Sequence, residues 1–172
     1  MAQDPKLRHR TSLETKMKRL LLMIALCSAI AGAAPRPAPE ILGVRLGMPY
    51  DAAHSRLSKI GEFKSEDEGQ QVWVLKHDRH YQYAIVGFDR DRNVRYVTVL
   101  AHPEGQPVNY EDVGDLATAA HFGQPGNVRY TWTLRDRKHH FEYVATVKGR
   151  DPHHLDRYSI KRLGVAQEED KD

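Results

Sequence analysis

Cysteine is almost absent: the 172-residue chain has one, Cys27, and none after it. That excludes a disulfide framework, a thiol nucleophile and a Cys-type zinc site from everything downstream. Stability there has to come from an ordinary apolar core. Long hydrophobic runs are scarce too. The only continuous one, Leu20 to Ile30, falls short of the roughly 20 residues a helix needs to span a bilayer, so no stable membrane span is expected. Charge of one sign is also missing. The 26 Lys and Arg face 23 Asp and Glu, and the first 34 residues hold six of the bases but only two of the acids. The remaining 20 bases and 21 acids nearly cancel, which removes the basic surface that a nucleic-acid reading would require. No G-x-S-x-G, H-E-x-x-H or G-x-x-x-x-G-K-[ST] pattern occurs, so no enzyme class is indicated and no cofactor is expected.

What is present begins with a leader. From Met17 two cations (Lys18, Arg19) precede the apolar run, and small residues and a Pro-rich stretch follow it. This is the layout of a secretory signal peptide. Ala31 and Ala33 suit the −3 and −1 positions of a cut after residue 33. Residues 1–33 are therefore a leader, with translation expected to start at Met17, and the location is periplasmic or secreted. Leu26 stands where a lipoprotein signal wants a small residue before its cysteine, which disfavours lipidation of Cys27.

Residues 34–40 (APRPAPE) form a Pro-rich linker. Tyr50, Ala53, Leu57 and Ile60 recur at helical spacing and predict a helix over 49–60 that stops at Gly61. An acidic loop, Glu66 to Gly69, is expected next, then strands at 71–77, 81–88 and 94–101. Beyond His102–Pro107 the order returns: a helical stripe over 110–121, then alternating strands from Val128, from Phe141 and over 156–163. Ile60-Gly61 answers Phe122-Gly123, Trp73 answers Trp132, Tyr83 answers Tyr143, and Tyr96 answers Tyr158, at offsets of 62, 59, 60 and 62. The expected fold is α+β: two tandem repeats, at 41–102 and 107–163, each a helix plus a three-stranded antiparallel meander. Residues 164–172 form an acidic, disordered tail.

Gly43-Val44-Arg45-Leu46-Gly47-Met48-Pro49, followed by an Ala-containing helix ending at Gly61, resembles the L-G-M-[S/T/P] helix start of small exported proteins of the SmpA/OmlA (BamE-like) type. His121-Phe122-Gly123-Gln124-Pro125 resembles the L-G-x-P helix exit of the same group. A doubled unit of this kind is similar to the β-lactamase inhibitory protein family. The resemblance implies an envelope protein that binds other proteins, and it transfers no catalytic residue.

Two sites can be drawn from the residues themselves. If Trp73, Tyr83 and Tyr96 face the helices, the opposite face of the first repeat carries Val72, Val74, Ala84, Val86, Phe88, Val97 and Val99. The matching face of the second repeat is polar, from Arg129 to Lys161. An apolar outer face needs a cover: an envelope protein partner, a second copy in a homodimer, or the chain's own residues 41–46 or second helix. The expected function is a non-enzymatic protein-binding module, an adaptor or inhibitor. The competing reading is a metal- or small-ligand-binding protein using the turn residues His77, Asp78 and His80. Asp89-x-Asp91-x-Asn93 copies the start of a calcium loop but has Val94 where that loop needs glycine, so a hairpin turn is expected there.

Overall fold

The computed structural model describes residues 35–164. The leader and the acidic tail, with every expectation placed on them, lie outside the described residues. A short ribbon, β1 (Glu40–Ile41) and β2 (Val44–Arg45), precedes helix α1 (Tyr50–Leu57). Strands β3 (Gly61–Asp67), β4 (Gln70–Leu75), β5 (Tyr81–Phe88) and β6 (Val94–Ala101) follow. A single helical turn α2 (Tyr110–Val113) and a 3-10 turn (Leu116–Thr118) lead to β7 (Ala120–Gln124), β8 (Asn127–Asp136), β9 (Phe141–Gly149) and β10 (Arg157–Arg162).

The expected pair of helix-plus-three-strand α+β units is not what forms. The described chain is mostly β, with one antiparallel sheet of eight strands in the order β3-β4-β5-β6-β10-β9-β8-β7. Each meander has four strands, and the two join through β6 and β10, which pair Tyr158 with Val99 and Ile160 with Val97. Both unexpected strands of this sheet are its edges. Half of the supposed acidic loop, Glu66 and Asp67, belongs to β3, paired along β4, and the other half, Glu68 and Gly69, makes the turn. Both have positive φ, as a two-residue hairpin requires. The supposed helix exit at His121–Gln124 belongs to β7, paired along β8. Edge strands exposed on both faces have no burial to impose alternation, so neither shows the period of two.

The expected helix over 110–121 is broken at Gly114, whose backbone is extended. A Cβ there would come within 3.0 Å of both Pro37 and Trp132, so the glycine lets the N-terminal segment approach the sheet. The Pro-rich residues expected as a linker are anchored by backbone groups. Tyr143 Oη donates to the Pro37 carbonyl at 2.7 Å, and the Asp115 amide donates to the Pro35 carbonyl at 2.8 Å.

The core lies on one face of the sheet. Val44 and Leu46, Ala53 and Leu57 of α1, and Tyr110 of α2 are buried against it. Trp73 sits opposite Ala84, and Trp132 opposite Ala145. Each large indole is accommodated by a small residue on the neighbouring strand, so the two meanders fill their cores in the same way. From there the correspondence keeps a constant interval. Ala84 and Ala145, Val86 and Val147, Val97 and Tyr158, and Val99 and Ile160 all stand 61 apart at equivalent register positions.

Candidate functional site

The interval of 61 corrects the expected outer face. Val72 and Val74 do point away from the helices, but Ala84, Val86, Val97 and Val99 are completely buried on the core side. Phe88 is on that side as well, its ring 4.8 Å from that of Tyr50. Side chains alternate across a strand, so pairing Trp73 with Ala84 rather than with Tyr83 turns over β5 from Tyr83 onward and β6 from Tyr96 onward, while bulges keep Tyr81 and Val94 on the core side. Tyr83 and Tyr96 therefore lie outside, while Tyr143 and Tyr158 are inside, and those two aromatic correspondences fail. An outward Tyr96 is stabilised locally: its ring covers Gly87 on the next strand, and its hydroxyl donates to Gln70 Oε1. A Cβ at Gly87 would collide with that ring.

The described segments outside the sheet pack on the core side, which leaves the outer face open. Register arranges this face in lines that run across the strands. One line passes from Val74 through Tyr83 and Leu100 to Arg157, Lys148 and Arg129. The next passes from Val72 through Ile85 and Thr98 to Ser159, Thr146 and Thr131. The β4–β6 half is thus apolar and aromatic, with Val72, Val74, Tyr83, Ile85, Tyr96 and Leu100 all half-buried. None belongs to the core cluster or to the apolar residues packed on it. The β8–β10 half is hydroxylated and cationic, with Arg129, Lys148, Arg157 and Lys161 exposed around a concavity of about 650 Å³.

A second cluster sits on the core side at the β3 edge. Gln71 is the one fully buried polar residue described. Its Oε1 accepts from Trp73 Nε1 at 3.1 Å, and its Nε2 donates to Glu66 Oε2 at 3.1 Å and lies 3.2 Å from His54 Nδ1. The same Glu66 oxygen accepts from Tyr50 Oη at 2.5 Å, and the Arg92 guanidinium stacks 3.8 Å from the Tyr50 ring centre. The hydroxyl of Tyr50 and the amide of Gln71 hold the Glu66 carboxyl below its ordinary range, and the bond to Glu66 raises Tyr50. The network satisfies the buried glutamine and the indole, and among the described residues no buried side-chain polar atom is left without a partner.

The turn at His77, Asp78 and His80 is held by bonds to the backbone. Asp78 Oδ1 accepts from the amides of His80 and Tyr81, both at 2.8 Å, and His80 Nδ1 is 3.1 Å from the Gln106 carbonyl. Asp89 accepts from the amides of Asp91 and Asn93, which makes that segment a hairpin turn. Asp136 and Asp151 cap the β8–β9 and β9–β10 turns in the same manner and also meet His139 and His154. These repeated aspartates explain the clustered histidines as turn chemistry. Among the described residues no group of three or more His, Cys, Asp or Glu side chains is placed to hold a metal ion. No described helix is long and apolar enough to cross a membrane.

Sequence reasoning missed Tyr83, Ile85, Tyr96 and Leu100 as outer-face residues and the cross-strand line of cations. The uniform interval of 61, together with a small residue beside each tryptophan, was the available signal. Comparisons with family models, with curated proteins and with solved structures return no match, so the surface itself is the ground for a functional reading.

Proposed function

We propose that this protein is a non-enzymatic binding module of the bacterial cell envelope, holding a partner protein against the open face of its sheet. The observation that carries this reading is the half-buried apolar and aromatic surface of Val72, Val74, Tyr83, Ile85, Tyr96 and Leu100, on a face over which no described element packs. An antiparallel sheet turned to water normally shows polar residues there, and a contiguous apolar patch marks an interface. Aromatic residues at its centre suit a protein contact, since they bury large area with few rotamers. The signal-peptide layout of residues 17–33 and the likeness of residues 43–49 to SmpA/OmlA-type proteins support export to the periplasm.

The test is site-specific photo-crosslinking in cells that make the full chain, with the photoreactive residue at Ile85, at Leu100, or at Lys59 beyond the end of α1. The same envelope protein captured from positions 85 and 100, and not from 59, is the expected result. Capture of a second copy only, equal capture from all three positions, or none would overturn the reading.

A further inference from the structure

The cationic half of the outer face carries an arrangement that the fold does not require. Arg129 pairs with Lys148, and Lys148 with Arg157, so three cations stand directly opposite one another on adjacent strands, about 5 Å apart. Like charges placed directly across a sheet destabilise it. The neighbouring line shows that uncharged residues serve equally well on this surface, because Thr131, Thr146 and Ser159 occupy the equivalent positions one step along the same strands. Lys161 adds a fourth cation beyond that hydroxyl line. No acidic side chain lines the concavity, and among the described residues none of the four cations joins an ion pair. Arg129 has instead the face of Phe122, 5.3 Å from the ring centre.

We infer that the Arg129–Lys148–Arg157 line is an anion-binding site that takes an acidic, extended polypeptide segment of the partner. This rests on the protein-binding reading above and specifies the chemistry of what is bound. Charge complementarity selects the anion, and continuity selects its form. The line of cations runs without a break into Leu100, Tyr83 and Val74, crossing six strands from β8 to β4 by way of β9, β10, β6 and β5. Five steps of about 4.8 Å make about 24 Å, the length of about seven extended residues. A small phosphate would cover the charged end alone. A polypeptide places carboxylates over the cations and apolar side chains over Tyr83 and Val74, while Thr146, Ser159 and Thr98 offer hydroxyls to its backbone along the adjacent line. A second copy of the chain is disfavoured, because docking this face on itself either sets cations against cations or buries them unpaired against the apolar half.

The experiment titrates the full chain with poly-L-glutamate by calorimetry at low and moderate salt, alongside thermal melts. The variants are Lys148→Glu, Arg157→Gln and, as the control for net charge, Lys59→Glu. Binding that weakens with salt and falls at least tenfold in Lys148→Glu, but not in Lys59→Glu, is expected. Lys148→Glu should also melt at a higher temperature than the wild type, because it replaces two repulsive cross-strand pairs with attractive ones. Arg157→Gln, which places a neutral side chain on an exposed site, should also weaken binding and replaces Lys148→Glu in the comparison if that variant folds poorly. Absence of binding overturns the inference, and so does equal weakening in Lys148→Glu and Lys59→Glu. Tighter binding of inorganic pyrophosphate, or of vesicles containing phosphatidylglycerol, would assign the cations to a phosphate ligand and overturn it too. If poly-L-glutamate fails while crosslinking from Ile85 succeeds, only the anion site falls. If poly-L-glutamate binds as expected while crosslinking fails, the partner reading falls.

Discussion

On the covered side of the sheet the two meanders are built alike: Trp73 faces Ala84 as Trp132 faces Ala145, and valines or larger apolar residues follow at a constant interval. On the outer side they are not. Where the first meander places Val74, Tyr83 and Leu100 along a line, the second continues it with Arg157, Lys148 and Arg129. Folding explains the likeness, because both cores must fill the same space beneath a sheet of one twist and spacing. It does not explain the difference. A surface that is apolar in one half and cationic in the other contributes little to stability, and that difference is the ground on which the binding role of the outer face is proposed.

The sharpest way to break the comparison is to put the same charge on its two sides. Val97 has no exposure and packs on the core side, so Val97→Asp buries a carboxylate with no partner. The cost of several kcal/mol is a large share of an ordinary domain's stability of about 5–15 kcal/mol. Loss of the cooperative melt by circular dichroism is expected. Ile85→Asp, on the half-buried outer face, should keep that melt. Equal damage from both would mean that the faces are misassigned.

A smaller effect separates the two tryptophans. Trp73 Nε1 donates to the side chain of Gln71, whereas Trp132 Nε1 donates to the backbone carbonyl of Asp115 at 2.9 Å. Gln71→Leu should cost about 1–3 kcal/mol in urea denaturation, because it leaves a buried indole donor and the Glu66–His54 pair without their link. Asp115→Asn preserves the carbonyl and should cost well under about 1 kcal/mol, since asparagine also caps a turn.

Gly87→Ala tests how the outward tyrosine is held. The new methyl must displace the Tyr96 ring and its bond to Gln70, at about 1–2 kcal/mol. In a double-mutant cycle with Tyr96→Leu the two losses should fall short of additivity. Strict additivity would show that ring and glycine do not touch.

The smallest effect depends on pH. The Glu66 carboxyl is held low by the hydroxyl of Tyr50 and the amide of Gln71, so its folded value lies below its unfolded one. Its contribution is complete above the unfolded value of about 4.3 and is lost as pH falls through the folded one. Because the carboxyl is exposed, the effect stays below about 1 kcal/mol. The gap in melting temperature between wild type and Glu66→Gln should therefore be present at pH 7 and narrow as pH falls below the unfolded value. A gap that stays constant or widens on acidification would contradict this linkage.

β8, β9 and β10 form where the chain largely alternates between apolar and polar residues, β4, β5 and β6 where it runs β-rich and mostly apolar, and α1 where Tyr50, Ala53 and Leu57 share a stripe. Burial on one face against water on the other is what writes a period into a sequence. The edge strands β3 and β7 are exposed on both sides and so carry no period. β3 has instead Glu62, Lys64, Glu66 and Asp67, a composition that reads as a loop and in the sheet guards an edge against pairing. The register of β5 and β6 was obscured by Tyr83 and Tyr96, because large aromatics look like core markers. Here the core is set by small residues beside tryptophan, and the tyrosines turn outward, one of them over glycine. The apolar outer surface was therefore legible as a feature, while most of its membership was not. The line of three cations depends on register across β8, β9 and β10, which no single stretch of sequence displays.

The most direct measurement exploits the absence of cysteine after position 27. In a chain with Cys27 replaced by serine, a single cysteine is placed at Ile85 or at Val86, and its labelling by a polar maleimide is timed in purified protein and in intact cells. Fast labelling at 85 and protection at 86 are predicted in the purified protein, with 85 becoming protected in cells when the partner occupies the face. Protection at both positions in the purified protein, or labelling at 85 that is as fast in cells as in isolation, would contradict a face held open for a partner.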